Sequence, residues 1–221
     1  MSTGAAKVIS TELLENKDAK WINLVKITYS DEHGHPRTWE AMRRAGRPST
    51  SVIDAVQIIA VSPSPPSPLP PSSTSAPASA SVSAQPVVLL EKQFRAPAGK
   101  PVIEFPAGLV DAGETAEEAA VRELREETGY VGEVVREGEG TPASSSSRTS
   151  IVHMRIDPER AENQDPKPQL EDGEFIECFW VPLSDLYSEC RRLEAEGFAI
   201  DGKVGVFAEG LEMSKIWQPQ T

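Results

Sequence analysis

A chain of 221 residues supports one domain with a sizeable core and is short for two. Its net charge of −12 excludes a general nucleic-acid binder, which needs a basic surface to neutralise phosphates. It does not exclude binding of a phosphorylated small molecule, for which a few arginines or bound cations suffice. No apolar run approaches the ~20 residues that span a bilayer, so no membrane partner is expected. Cys178 and Cys190 form neither a CxxC pair nor a zinc-like spacing, which suits reduced thiols in an intracellular protein. Residues 1–18 are polar and lack the apolar segment of a secretory signal. The expected compartment is the cytoplasm, with the nucleus as the alternative.

Residues 20–29 (KWINLVKITY) alternate apolar and polar, as a half-buried strand does. The turn-rich stretch 31–36 (DEHGHP) and a second strand at 38–44 complete a predicted hairpin. The β-branched run 52–61 predicts a third strand. Residues 62–86 are nearly all Ser, Pro and Ala, and predict a disordered insertion of about 25 residues. Its length is tolerable between paired strands, because loop-closure entropy grows only logarithmically. A strand resumes over 87–94. A Pro-Ala-Gly turn after Phe105 leads to a helix over 115–128, stopped by Gly129. A serine tract at 143–147 precedes a strand at 151–156. Residues 163–173 read as a polar loop, 174–181 as a strand, and 183–196 and 203–216 as helices. The fold class expected is α+β, a mixed sheet covered by helices. Residues 1–50 form an N-terminal hairpin region and 51–221 the main domain.

The helix at 115–128 holds the chemistry. At ~100° per residue, with Ala116 at zero, Ala120, Leu124 and Val121 fall at about 40°, 80° and 140° and make an apolar stripe. Glu123 and Glu127 fall at about 340° and 20°, bordering or entering the buried side. Two ionised glutamates at i and i+4 repel by roughly 0.2–0.5 kcal/mol even in an exposed helix, and desolvation adds to that. A cation between them relieves both costs, and hard oxygen ligands suit Mg²⁺ or Mn²⁺. Arg122 and Glu126, also at i and i+4, can pair. Taken alone, the glutamates fit a solvated, charge-laced helix better than a metal site.

The whole segment from Gly108 to Tyr130 resembles the Nudix box, G-x5-E-x7-R-E-U-x-E-E-x-G-U. Gly108, Glu114, Arg122, Glu123, Leu124, Glu126, Glu127 and Gly129 match at the required spacing, and Tyr130 fills the last U position as an aromatic. The resemblance implies a Nudix-type α/β/α sandwich and hydrolysis of a nucleoside diphosphate linked to another group. From about residue 20 to 217 the chain resembles the ADP-sugar pyrophosphatase branch, on Arg37-Thr-Trp39-Glu40, Glu91-Lys-Gln-Phe-Arg95, Glu104-Phe-Pro-Ala107-Gly108 and Asp172-Gly-Glu174-Phe175. That branch implies a domain-swapped homodimer whose N-terminal strands help to build the partner's site.

Carried over by the resemblance, Glu123, Glu127 and the Ala107 carbonyl become ligands of Mg²⁺, with Mn²⁺ as an alternative. Glu104 and Glu126 support the cluster, and Arg122 orients it. Arg44 and Arg95 contact the diphosphate or terminal ribose, where guanidinium donors suit phosphate oxygens. Trp21 and Trp39 stack on the adenine. Glu40, Asp54 and Leu109 join the substrate-binding set. Glu174 orients or deprotonates the attacking water. A core or interface role for Trp21 and Trp39, and a solvated edge for Arg44, are the competing readings. The chain departs from the branch at 141–150, where a serine-rich stretch replaces an Asp-Pro-Gly turn. The implied reaction converts ADP-ribose to AMP and ribose 5-phosphate. Another nucleoside diphosphate derivative and a non-catalytic nucleotide-sugar sensor are the alternatives.

Overall fold

The computed structural model describes residues 6–45, 51–66, 85–140, 145 and 147–217. Two strands, β1 (Ile22–Ser30) and β2 (Pro36–Arg44), pair antiparallel as a sheet of their own. Asp31 closes the hairpin by accepting from the backbone N–H groups of His33 and His35 and from the Arg37 guanidinium.

The main sheet has eight strands: β3 (Ala55–Ser62), β4 (Val87–Arg95), β5 (Lys100–Glu104), β6 (Ala107–Leu109), β7 (Gly132–Gly140), β8 (Thr149–Ile156), β9 (Ile176–Pro182) and β10 (Ala199–Ile200). The helices are α1 (Ala116–Thr128), α2 (Ala161–Gln164), α3 (Leu186–Ala195) and α4 (Gly202–Ile216). The β3–β8 and β5–β10 pairs are parallel and the others antiparallel, so the sheet is mixed, as expected.

The sheet forks where the site will lie. Along one edge, β3 pairs first with β6 and, at its end, with the start of β4. Strand β4 then turns its farther half to β5 while β9 covers its other edge. Phe105 and Pro106 carry the chain across the fork. Ile58 N–H donates to the Pro106 carbonyl and the buried Gln57 amide to that of Phe105, at 2.8 and 2.9 Å.

Alternation along the strands sorts two cores onto the two faces. Val56, Ile58, Ala60 and Leu89 meet Ala119, Ala120 and Leu124 of α1 on one face. Ile59, Val88, Leu90 and Ile103 meet Leu186, Leu193, Val204 and Ala208 of α3 and α4 on the other. Helix, sheet, helix is therefore the layering. Among the described residues, no helix is long and apolar enough to cross a membrane.

Helix α1 is well specified locally. Thr115 and Glu118 form a reciprocal capping box, worth about 1 kcal/mol, and Gly129 ends the helix at φ 75°. A Cβ at Gly129 would lie 2.3 Å from the Lys167 backbone nitrogen, so both conformation and space require glycine.

Several sequence expectations change. Residues 107–109 form a short strand on β3 rather than a turn, because the chain must cross the fork. Strand β7 was not expected. It is a Gly- and Glu-rich edge strand with a bulge at Val134–Arg136, a composition that blunts an edge and hides the strand signal. The two-residue β10 is too short to read. Val121 stands 39% exposed while Ala119 is fully buried, which shifts the apolar stripe of α1 toward Glu123 and Glu127. A single helical turn, α2, runs into the start of the predicted polar loop, where its buried Asn163 ties Val131 to Asp157. Ser62 is the last residue of β3, buried and opposite Val87, so the predicted insertion starts too early by at least this residue. Its central part, 67–84, and residues 141–144 and 146 of the serine-rich stretch lie outside the described residues.

Candidate active site

The site is built where α1 passes over the fork. Glu127, 6% exposed, points down between α1 and β6, and accepts from the Ala107 backbone N–H at 2.9 Å. Glu123, one turn earlier, lies against Gly108. A Cβ on Gly108 would stand 1.8 Å from the Glu123 carboxyl carbon, so the glycine is the cradle of that carboxylate.

Arg122 clamps the arrangement. Its guanidinium donates to Glu114 at 2.9 Å through two nitrogens, to Glu123 at 2.8 Å, to Glu126 at 3.0 Å and to the Leu109 carbonyl at 2.8 Å. The Glu114 hydrogen bonds, with those from Glu123 and Glu126, keep Arg122 protonated well beyond its ordinary range. Arg95 forms a bidentate pair with Glu104 at 2.6 and 3.1 Å. Burial opposes the Arg95 charge, but the bonds to Glu104 prevail and raise its pKa. Glu174, half-buried ahead of β9, accepts from the Glu171 N–H at 3.0 Å and adds its charge to the same cluster.

Glu91 is the group that the sequence reading passed over. It lies on β4, fully buried, opposite Glu104 on one side and Cys178 on the other. Among the described residues, both of its carboxylate oxygens lack any hydrogen-bond partner. A charged residue on the apolar face of VVLLEKQF was the available signal. Burial, then the charge of Glu104, pushes its pKa up to about 8. Burial, then the charge of Glu91, pushes Glu127 up to about 10 against the Ala107 hydrogen bond. Burial also raises Glu123, with Arg122 opposing. The cluster is therefore short of positive charge.

Not every expected residue joins it. Trp21 and Trp39 stand 72% and 53% exposed on the hairpin with Glu40 and the half-buried Arg44. No hydrogen bond or ion pair among the described residues links these four to the carboxylates. Asp54 is buried and accepts from the Arg148 N–H at 2.8 Å, while its own carbonyl accepts from Val110, so it braces the start of β3. Leu109 is exposed beside the clamp.

Residues 78–200 match the NUDIX domain. The chain belongs to the Nudix family. It is 44% identical over 208 residues to an uncharacterized Nudix hydrolase of Schizosaccharomyces pombe, covering 93% of this chain and 92% of that one. It is 37% identical to the ADP-ribose pyrophosphatase of Saccharomyces cerevisiae over 95% of this chain and 85% of the yeast one. It is equally 37% identical to the ADP-sugar pyrophosphatase of Mus musculus, over 96% and 89%. The chain is a Nudix hydrolase.

Nudix hydrolases generally use divalent metal ions, and the donor set here fits one. Among the described residues no three acidic, imidazole or thiol groups already converge as a closed cage. The charges of Glu91, Glu123 and Glu174 nevertheless all bear on Glu127, and both buried oxygens of Glu91 are unpartnered among the described residues. Hard divalent cations take carboxylate oxygens and keep positions for water and phosphate.

Proposed function

We propose that this Nudix hydrolase cleaves the diphosphate of nucleoside diphosphate sugars, chiefly ADP-ribose to AMP and ribose 5-phosphate, with Mg²⁺ in the cytoplasm. The observation that carries the reading is the half-buried Glu123 beside the buried Glu127, both set against the Ala107–Gly108 backbone and short of positive charge. The names of the yeast and mouse relatives supply the substrate class. Glu123, Glu127 and the Ala107 carbonyl would hold the ion. When bound, it would polarise the diphosphate and lower the pKa of a water.

The chain's own groups do the rest. Arg122 holds Glu123 and Glu126 in place and fixes the Leu109 carbonyl beside them. Arg95, steered by Glu104, presents its remaining donors to a phosphate oxygen. Glu174 takes the proton as the water oxygen attacks phosphorus. The bridging P–O bond breaks and its oxygen leaves with the other phosphate. Incubating the purified protein and Mg²⁺ with a panel of nucleotide sugars tests this directly. AMP release fastest from ADP-ribose is expected, and no release from any nucleotide sugar refutes the reading.

Glu174→Gln removes the proton acceptor but keeps the shape. Turnover should fall by about a hundredfold or more with KM little changed. Unchanged turnover would move the role to another acid.

The active form is a homodimer. Trp21, Leu24, Ile27, Tyr29 and Trp39 all stand exposed on one hairpin, and clustered exposed apolar side chains mark an interaction surface. A second copy covers it, and places Trp21 and Trp39 against its partner's substrate. Light scattering should report twice the 23.9 kDa chain mass. A fully active monomer would refute the shared site.

A further inference from the structure

Glu91 asks for an explanation that the Nudix box does not supply. A buried polar atom is nearly always hydrogen-bonded, and a buried carboxylate with no partner loses its hydration without return. Here both oxygens are in that state, on a side chain with no exposed surface.

The strand geometry says where they point. Alternation along β4 puts Leu89 and Glu91 on the α1 face and Val88 and Leu90 on the other. Cross-strand partners share a face, so Cys178 and Glu104 stand on either side of Glu91. The Cys178 thiol reaches the Glu127 carbonyl at 3.8 Å, which places this end of α1 directly over Glu91. The Arg95 guanidinium is turned to Glu104 and makes no hydrogen bond to either Glu91 oxygen. The available partner for Glu91 is therefore something that enters the space shared with Glu127.

We propose that Glu91 is an additional carboxylate of the cation site, facing the divalent ion or one of its bound waters from the floor of the sheet. The inference rests on the metal-binding reading of Glu123 and Glu127. It gives the ion a ligand environment drawn from two layers, the helix above and β4 below. It also accounts for a charge placed on an otherwise apolar strand face. A cation compensates three inward carboxylates where two alone would already repel.

Metal binding is measured by calorimetric titration of Mg²⁺ and Mn²⁺ into the full chain, without substrate. The variants are Glu91→Gln, Glu91→Leu and Glu127→Gln. Melting in EDTA is recorded alongside. Both Glu91 variants should bind the ions about tenfold or more weakly. They should melt in EDTA no lower than the unaltered chain, because an unpartnered buried charge has gone. If they bind as the unaltered chain does while Glu127→Gln loses binding, Glu91 is a neutral buried acid and this inference falls alone. If Glu127→Gln also binds normally, the metal reading beneath it fails. If both Glu91 variants unfold in EDTA where the unaltered chain does not, Glu91 is a structural residue and the inference is overturned.

Discussion

Glu127→Gln is expected to cut turnover by about a hundredfold or more and to leave the fold intact. Glutamine keeps the side-chain length, and its carbonyl oxygen can still accept from the Ala107 N–H. What disappears is one negative charge in a place where burial makes charge expensive. A metal ion contributes several kcal/mol to the transition state, and each ~1.4 kcal/mol is tenfold in rate. In EDTA the variant should melt higher than the unaltered chain at neutral pH. The sign follows from linkage. Burial raises the folded Glu127 pKa from 4.5 to about 10, so the metal-free folded state holds a proton that the unfolded state releases. Stability from this group is full below the ordinary carboxylate range and is lost as pH rises toward about 10. The variant should lack that part of the decline. Turnover, Mg²⁺ dependence and melting temperature across pH check the prediction together. Wild-type turnover would remove Glu127 from the catalytic machinery and leave it a buried structural acid.

Gly108→Ala should be almost as damaging to activity, for a reason that lies outside the carboxylates. The added methyl would occupy the space of the Glu123 carboxyl group, 1.8 Å from its carbon and 2.0 and 2.2 Å from its oxygens. The obstacle is the end of a flexible side chain, so the chain can fold by moving Glu123 aside. Glu123 then leaves both its position beside Arg122 and its line with Glu127. A drop in turnover of about a hundredfold, with melting temperature nearly preserved in EDTA, is expected. Measuring both decides between displacement and unfolding. Full activity would mean that Glu123 does not act from the position it holds here.

The sequence carried the long elements well, because their signals are local. The capping pair Thr115 and Glu118, the stop at Gly129, the alternation of β1 and the apolar runs that open β4 and fill β3 each need only a few neighbouring residues. Arg122 with Glu126, and the inward Glu127, follow from helical spacing in the same way. What escaped depends on distant partners. β7 is a strand because β8 offers it an edge, and β6 because β3 does. The Asp54 carboxylate accepts from the backbone of Arg148, a partner too far along the chain for any local signal to supply. Glu91 looks like any strand-edge acid until α1 and β9 close over it.

The two-faced character of β4 also constrains how such a chain can diverge. Glu91 and Arg95 lie with the carboxylate cluster on one face, and Val88 and Leu90 fill the α3–α4 layer on the other. With a side-chain period of two, inserting or deleting a single residue between Leu89 and Glu91 would exchange the faces for everything beyond it. Glu91 would turn into the apolar layer and Arg95 would leave the side of the carboxylate cluster, all in one event. Descendants of this sequence can therefore swap side chains along β4 one at a time, but changes in its length are closed to them.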